Sequence, residues 1–460
     1  MNTVGIIAEY NPFHNGHLYQ IEEIKNKANA QNIVVVMSGD FVQRGTPAWT
    51  DKYLRTKMAL SCGVSCVFEL PVSSATASAE TFAFAGVSLL TSLGFVDGIC
   101  FGCECGDIAF LKEISAFLAN PTPEYELAVA DFTSKGLSYP AAREKALCNT
   151  FPGQSRLCSA LLSSPNNILA LEYMKAITIL HSPLIPFPIQ RNDSGYHNHK
   201  LTGTFSSATA IRQKSLACPS NFPKEAAQAF PADVYGLLTR HTKHYPVTEN
   251  HFSDLLYYRL SRLTEEDKNI LDMTDEIFYR IQNKLSSYTT YSEFAMQIKT
   301  KQYTYSRISR VLLHCLLDIY TPLTFTTSQR PRGSRQMYMQ ACPLGSLLRR
   351  NNSRQHIPLV PYARLLGFLR EKSSLLRTQA KLPVITKPAD GLKDIKEFYS
   401  DTENDQTNKI SFAMQMYQQD IYASNLYRQV QKSQFGCNRP DEYHSRPVIL
   451  PHPFHTTPAQ

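Results

Sequence analysis

Two histidines, His14 and His17, stand three residues apart with Asn15 and Gly16 between them. They follow a short apolar run, residues 4–8, and the sequence after them has helical periodicity. Unpaired N–H groups at the start of a helix attract phosphate, and a glycine there lets a ligand approach the backbone closely. Two imidazoles on one side of the first turn can donate hydrogen bonds to phosphate oxygens as charge builds during phosphoryl or nucleotidyl transfer.

The spacing of the pair also allows two other interpretations. Two imidazoles could bind a metal ion, although no third ligand stands nearby in the sequence. They could also be structural caps of the helix. Spacing alone leaves all three interpretations open, and the change from strand to helix favours nucleotide chemistry.

The elements around the histidines alternate between strand and helix. Residues 4–8 form an apolar run, residues 18–28 place apolar side chains at helical spacing, and residues 33–37 are apolar throughout, as in a strand covered on both faces. Residues 64–71 and 96–102 read as further strands, with a helix predicted over 75–93. The pattern predicts an α/β fold with a doubly wound parallel sheet, which binds ligands at the carboxyl ends of its strands.

The chain of 460 residues is long enough for several domains. We expect an α/β domain over residues 1–215, a proline-containing connector over 216–250 and a mainly helical domain over 251–450. Residues 390–408 are polar and predicted to form a loop. Residues 451–460 are predicted to form a loose tail.

Positive charge is concentrated in one segment. Residues 330–387 contain twelve Lys or Arg and one acid, whereas the whole chain has 47 basic and 39 acidic residues. Because a solvated surface normally mixes both signs, this segment indicates a polyanionic partner, and nucleic acid is the first candidate.

Cysteines and hydropathy indicate the compartment. The 11 cysteines are scattered and odd in number, which favours reduced thiols over a disulfide framework. Cys100, Cys103 and Cys105, with Cys62 and Cys66, lack the spacing of a paired zinc site and are interpreted mainly as buried thiols. No apolar run is long enough to span a bilayer and no signal peptide is apparent, so we expect a cytoplasmic protein without membrane contact.

The flanks of the histidine pair resemble one known family. Residues 5–17 look like the opening of the bacterial tRNA(Met) cytidine acetate ligases, which belong to the HxGH nucleotidylyltransferase superfamily. Further resemblances lie at residues 37–45, 68–71, 165–173, 206–212, 298–307 and 366–368. The likeness runs from about residue 4 to about residue 447.

The resemblance implies a two-step ligase. ATP and acetate would form acetyl-adenylate and pyrophosphate, and the acetyl group would then pass to the exocyclic amine of the wobble cytidine in elongator tRNA(Met), giving N4-acetylcytidine. It implies a nucleotidylyltransferase domain followed by a helical, basic RNA-binding domain. The implied partners are tRNA and acetate, with no protein partner and with Mg²⁺ able to accompany ATP.

The resemblance also assigns residues to the nucleotide. The implied ATP contacts are Ile7, Ala8, Glu9, Tyr10, Asn11, Pro12, Phe13, His14, Asn15, Gly16, His17, Leu18, Tyr19, Gln20, Gly102, Asn167, Arg191, Ser207 and Thr209. The chain departs from the family pattern after Gly102, where Cys103 and Cys105 stand in place of serines around an acid. A backbone contact at Gly102 survives that change.

Four residues are predicted to be catalytic: His14, His17, Asp40 and Arg44. Asp40, Gln43 and Arg44 follow the second parallel strand, at the same sheet edge as the histidines. Arg44 or Gln43 is predicted to recognise acetate, since an arginine can hold a carboxylate with two hydrogen bonds. The alternative is that Asp40 caps a turn and Arg44 forms a surface pair.

Basic residues outside the histidine region are predicted to contact RNA phosphates. They are Lys299, Lys301, Arg307, Arg310, Arg332, Arg335, Arg349, Arg350 and Arg354. Two other functions remain open on sequence grounds: a small-molecule adenylyltransferase that uses no RNA, and a non-enzymatic RNA-binding protein with a relic nucleotide site.

Overall fold

The structure is a computed structural model that describes residues 1–190, 206–217, 224–321, 360–378, 380–400 and 407–453. Its strands are β1 (Thr3–Ala8), β2 (Asn32–Ser38), β3 (Phe41–Val42), β4 (Thr46–Pro47), β5 (Cys66–Leu70), β6 (Gly98–Cys103), β7 (Ile185–Gln190), β8 (Ala363–Leu369), β9 (Val384–Ile385) and β10 (Val448–Leu450).

The helices of the first half are α1 (Asn15–Ala28), α2 (Lys52–Ser61), α3 (Val72–Ala75), α4 (Ala79–Ser92), α5 (Ile108–Ala119), α6 (Pro123–Ser134), α7 (Tyr139–Thr150), α8 (Ser155–Ser163), α9 (Pro165–Ile179) and α10 (Ala208–Leu216). Those of the second half are α11 (Ala232–Arg240), α12 (Ser253–Leu260), α13 (Asp275–Lys284), α14 (Tyr291–Ile298), α15 (Tyr305–Leu317), α16 (Gly391–Ser400) and α17 (Thr407–Phe435).

Five parallel strands form the centre of the main sheet in the order β5-β2-β1-β6-β7. Every residue of β2 is buried, because helices cover both faces of the sheet. The chain winds outward from β1 in both directions, so the topological switch point lies between β1 and β6. The predicted doubly wound α/β fold is therefore confirmed, and its ligand crevice is expected beside the end of β1.

The second half of the chain adds strands to this sheet. β8 pairs antiparallel with β5, and β9 and β10 pair parallel with β8. This half was expected to be mainly helical, although residues 363–369 form a nearly continuous apolar run that is typical of a buried strand. The sheet thus draws on both halves, and the predicted domain boundaries stay a prediction.

The predicted connector contains packed structure. α11 lies within residues 216–250 and packs against α2, with Val234, Leu237 and Leu238 fully buried. Its apolar residues belong to the same core as Val4 and Ile6 of β1. This stretch therefore continues the α/β core.

The helical part of the second half has its own core. α12 to α15 pack around Phe278, Phe294 and Leu312, which are fully buried. The expectation of a loop over residues 390–408 is wrong for its first part, because α16 occupies Gly391–Ser400. Ile395 and Tyr399 are buried one helical turn apart, and that burial stabilises a helix in an otherwise polar sequence.

A buried ion cluster joins the two halves. The Lys52 ammonium of α2 contacts the Glu69 carboxylate of β5 at 2.7 Å and the Glu442 carboxylate at 2.6 Å. Arg364 of β8 contacts Glu442 at 2.5 Å. All four side chains are almost fully buried, so the loss of one partner would leave an uncompensated charge in the interior.

Across the described residues, no helix has the length and apolar character that crossing a bilayer requires.

Candidate active site

A cavity of about 840 Å³ opens at the carboxyl ends of β1 and β6. Its lining includes the end of β1, the start of α1, the turn between β3 and β4, and the start of α10. This is the crevice that the strand order predicts, and its volume is in the range of small-molecule sites.

His14 and His17 lie at the start of α1 and both line the cavity. His14 is the residue that precedes the helix, and its Nδ1 accepts the Gly16 N–H at 3.1 Å. His17 Nδ1 accepts the backbone N–H of His14 at 3.2 Å. Because Nδ1 is an acceptor in both rings, the neutral imidazoles carry their protons on Nε2. The pair therefore caps the helix, and the donor role predicted from its spacing stays a prediction.

Aromatic packing holds the histidine pair in position. The His14 and His17 rings stack with centroids 3.8 Å apart, and Tyr10 and Phe13 lie against His17 at 4.8 Å and 5.4 Å. Tyr10 and Phe13 are fully buried. A Cβ on Gly16 would lie 3.0 Å from the His14 ring, so a larger residue here would press on that ring. The two imidazoles are therefore preorganised at the cavity wall.

A second helix start faces the same cavity. Ser207 caps α10 by accepting the Ala210 N–H at 3.1 Å, and Ser207, Thr209 and Arg212 all line the cavity. The Arg212 guanidinium donates to the Asn11 carbonyl at 2.5 Å and to Thr209 Oγ1 at 3.2 Å. Two helix N-termini and one arginine thus converge on one space, which suits a polyphosphate.

The loop after β6 forms another wall of the cavity. Gly102 lines it, and so does Glu104, the acid between Cys103 and Cys105. Glu104 accepts hydrogen bonds from Ser164 and from Asn166, the latter at 2.6 Å. The sequence signal for Glu104 was its place directly after a parallel strand.

Asn167, for which the resemblance implies a nucleotide contact, does not line the cavity, and that contact stays a prediction. Its Oδ1 accepts the backbone N–H groups of Glu104 at 2.8 Å and of Cys105 at 3.0 Å, and the residue is buried. It therefore holds the loop after β6 in place, while its neighbour Asn166 reaches the cavity.

The turn between β3 and β4 carries Gln43 and Arg44 to the cavity. Gly45 completes the turn with a φ of 75°, and a Cβ there would lie 2.4 Å from the backbone nitrogen of Arg310. Ser309 Oγ of α15 donates to the Gly45 carbonyl at 2.8 Å. The turn is thus fixed between the nucleotide crevice and the helical half.

Asp40 does not line the cavity, although it was predicted to be catalytic. It is buried, and its carboxylate accepts the Lys52 backbone N–H at 2.8 Å. Burial raises the pKa of Asp40 to about 6, against the lowering effect of the Lys52 charge. These contacts are of the kind that the capping alternative describes, and a catalytic role for Asp40 stays a prediction.

Arg55 of α2, which was not among the predicted site residues, is fully buried. Its guanidinium donates to the carbonyls of Glu9 at 2.7 Å, Ser38 at 3.0 Å and Thr50 at 3.0 Å, and also to that of Gly39. It therefore ties the ends of β1 and β2 together. No local pattern marks such a residue, since its partners are backbone atoms distant in sequence.

The predicted ATP segment divides into cavity-lining residues and supporting residues. Those that line the cavity are Ile7, Ala8, Glu9, Tyr10, Asn11, His14, Gly16, His17 and Gln20. Pro12, Phe13, Asn15, Leu18 and Tyr19 do not line it. Arg191 lies outside the described residues.

The described residues of the predicted RNA surface lie in or just before α15. Lys299 and Lys301 are exposed, and the Arg307 guanidinium packs over the Tyr303 ring at 5.1 Å. Arg310 pairs with Asp272 at 2.9 Å and lines the cavity with Ser306. Arg332, Arg335, Arg349, Arg350 and Arg354 lie outside the described residues.

The cysteines near β6 pack as thiols. Cys100 and Cys103 are buried, and burial raises the pKa of Cys100 to about 12 and that of Cys103 to about 11. Burial likewise raises the pKa of Cys62 and Cys66 to about 12. Among the described residues, no group of three or more His, Cys, Asp or Glu side chains is arranged to hold a metal ion.

The strand order, the His-x-Gly-His helix start and the second helix start at α10 together define a nucleotidyltransferase site. The sequence model of the HIGH Nucleotidyl Transferase family matches residues 1–340, and the chain belongs to that family.

Full-length relatives narrow the assignment. A protein of Caldanaerobacter subterraneus subsp. tengcongensis named tRNA(Met) cytidine acetate ligase is 35% identical over 454 residues, which covers 98% of this chain and 100% of the relative. A protein of the same name from Acetivibrio thermocellus is 36% identical over 400 residues, which covers 85% of this chain and 90% of the relative. The chain is thus a member of the tRNA(Met) cytidine acetate ligase family, as the sequence resemblance predicted.

A solved structure agrees with the fold of the whole chain. The crystal structure of Thermotoga maritima TmcAL bound with alpha-thio ATP superposes with a TM-score of 0.80 at 27% identity. The match covers 98% of this chain and 100% of that one.

Proposed function

We propose that this protein activates acetate with ATP, forming acetyl-adenylate and pyrophosphate, and transfers the acetyl group to the wobble cytidine of elongator tRNA(Met). The product would be N4-acetylcytidine, and the reaction would take place in the cytoplasm. The observation that carries the proposal is the convergence of the α1 and α10 N-termini on one cavity of about 840 Å³.

Adenylate formation requires stabilisation of the negative charge that develops around the α-phosphate. Acetate attacks that phosphorus, and negative charge develops on its oxygens and on the leaving pyrophosphate. The Nε2 protons of His14 and His17 are suited to the α-phosphate, and Ser207, Thr209 and Arg212 are suited to the β- and γ-phosphates. Mg²⁺ would enter with the phosphates of ATP.

Acetate and the RNA base would arrive from the side of the β3–β4 turn. Arg44 lines the cavity there and could hold the acetate carboxylate with two hydrogen bonds. Ser306 and Arg310 of α15 lie on the same border, in the helical half that is proposed to bind tRNA. The cytidine would leave its stack to reach the adenylate, which an anticodon loop permits at low cost.

Exchange of labelled pyrophosphate into ATP tests the proposal and separates its alternatives. Exchange that depends on acetate and needs no RNA is expected of the ligase. A relic nucleotide site would show no exchange. An adenylyltransferase with another substrate would show exchange only with that substrate, and either result would overturn the proposal.

A further inference from the structure

Transfer of the acetyl group needs a proton acceptor that adenylate formation does not. The exocyclic amine of cytosine is a weak nucleophile, and it must lose a proton as its nitrogen bonds to the acetyl carbon. The side chains proposed above to contact the phosphates and acetate are donors or cations, so none of them serves as this base. Two carboxylates, Glu9 and Glu104, line the cavity in the described residues.

Glu104 is poorly placed for this task. Both of its oxygens accept side-chain hydrogen bonds, one from Ser164 and one from Asn166. It lies directly after Cys103, which ends β6, and its loop is held by Asn167. Its carboxylate is thus fixed in a wall on the β6 side of the crevice, away from the β3–β4 turn.

Glu9 lies directly after β1, and its side chain contacts the β3–β4 turn. Its Oε1 accepts the backbone N–H of Gln43 at 3.0 Å. In the part of the chain that the structure describes, no donor reaches Oε2. The backbone carbonyl of Glu9 accepts a hydrogen bond from the Arg55 guanidinium at 2.7 Å, which holds the backbone of Glu9 in place. One carboxylate oxygen therefore anchors the turn, and the other remains for a ligand.

The surroundings of Glu9 match the route proposed for the RNA base. Gln43 stands next to Arg44, and the turn they form is hydrogen-bonded to Ser309 of α15. His14 and His17, which mark the proposed position of the α-phosphate, line the same cavity as Glu9. Glu9 thus contacts the turn at the proposed entrance of the base and shares one cavity with the proposed adenylate.

From this placement we infer that Glu9 is the general base of acetyl transfer, an inference that rests on the proposed function. Its Oε2 accepts a hydrogen bond from the cytosine N4 amine, which is the contact that carboxylates make with this base. As N4 attacks, the N–C bond forms and the anhydride C–O bond to the α-phosphate breaks. AMP leaves with that electron pair, and the N4 proton passes to Glu9 and then to solvent.

Glu9→Gln separates the base from the structural anchor. A glutamine Oε1 can still accept the Gln43 N–H, so the turn keeps its contact, but the amide cannot take a proton. We expect single-turnover transfer of labelled acetate to a tRNA(Met) transcript to be slowed about 10²-fold or more, and at least about tenfold more than acetate-dependent pyrophosphate exchange, which also reports any effect of the change on ATP binding. Glu9→Asp, which keeps the carboxylate but shortens its reach, should retain more transfer than Glu9→Gln.

Several outcomes would overturn the inference. Transfer at the wild-type rate in Glu9→Gln would show that no proton goes to this residue. Equal loss of exchange and transfer, in a variant with an unchanged melting temperature, would assign Glu9 to adenylate formation. If Glu9→Gln does not fold, Glu9→Asp provides the test. A transfer rate that falls no further below its wild-type value than the exchange rate falls below its own would count against the inference. Absence of exchange in the wild-type protein would instead contradict the proposed function.

Discussion

His14 and His17 stack with ring centroids 3.8 Å apart, and each ring accepts a backbone N–H through Nδ1 at the start of α1. The helix cap thus fixes the tautomer of both rings. It leaves Nε2 as the proton-bearing nitrogen on each, so the cap and the proposed phosphate contacts use different atoms. That division allows the two roles to be tested separately.

Replacing His17 with asparagine should remove the catalytic contact and keep the cap. Asparagine Oδ1 can take the place of Nδ1 and accept the His14 N–H, but it has no counterpart of Nε2. We expect acetate-dependent pyrophosphate exchange to fall about 10²-fold, the usual effect of removing one transition-state donor. The melting temperature should change little. His452→Asn, at an exposed position that does not line the cavity, is the control. An exchange rate of His17→Asn within a few-fold of that of the control would contradict the prediction.

Arg44→Ala should weaken the use of acetate. Arg44 lines the cavity at the β3–β4 turn, and its side chain is exposed, so the fold should tolerate the change. We expect the KM for acetate in the exchange reaction to rise at least about tenfold, while the KM for ATP stays within about twofold. Arg44→Lys keeps the charge but not the two-pronged geometry, so its KM for acetate should lie between those of the wild type and Arg44→Ala. An unchanged KM for acetate would remove Arg44 from this role.

Binding of tRNA should weaken steeply with salt. Phosphate contacts release counterions, so the logarithm of the binding constant falls linearly with that of the salt concentration. Removing the exposed Lys299 and Lys301 together should reduce that slope by about one to two. Titrations of a tRNA(Met) transcript at several salt concentrations measure both effects, and a flat response would exclude an electrostatic RNA surface.

Stability should fall between about pH 6.5 and pH 9 because of His244. Burial alone would lower its pKa, but hydrogen bonds with Asp51 and Cys437 raise the pKa of His244 from 6.5 to about 9. The folded protein therefore holds this proton more tightly than the unfolded chain. Its contribution, on the order of 3 kcal/mol, is complete below pH 6.5 and is lost as pH rises through 9.

Urea unfolding at pH 6, 7.5 and 9 measures the pH effect of His244 as a decrease in the free energy of unfolding. His244→Gln removes the titrating group, so its stability should vary much less over the same range. Parallel decreases in the variant and in the wild type would assign the effect to other groups.

The sequence predicted those helices and strands that are determined by the periodicity of neighbouring residues. β1, α1 and β2 were predictable because the apolar run of residues 4–8, the helical spacing of 18–28 and the apolar run of 33–37 each determine one element. The position of His14 and His17 followed from that order. The pairing of β8 with β5 did not, since nearly three hundred residues separate the strands and no local rule specifies such a contact.

Side-chain roles within a short motif were harder to predict than the motif itself. Asp40 and Arg44 stand four residues apart, yet a hairpin turns the first into the core and the second to the cavity. Asn166 and Asn167 are adjacent, and only the first reaches the cavity. Such differences depend on the direction of a single turn of the backbone, which residue types alone do not specify.

The most direct test of the adenylate site is a crystal structure with a sulfamoyl analogue of acetyl-adenylate. The account predicts that the sulfamoyl oxygens, which stand for those of the α-phosphate, lie within hydrogen-bond distance of Nε2 of His14 or His17. It also predicts that the acetyl group points to the β3–β4 turn. An analogue bound elsewhere, or one whose sulfamoyl group lies out of reach of both imidazoles, would contradict the account.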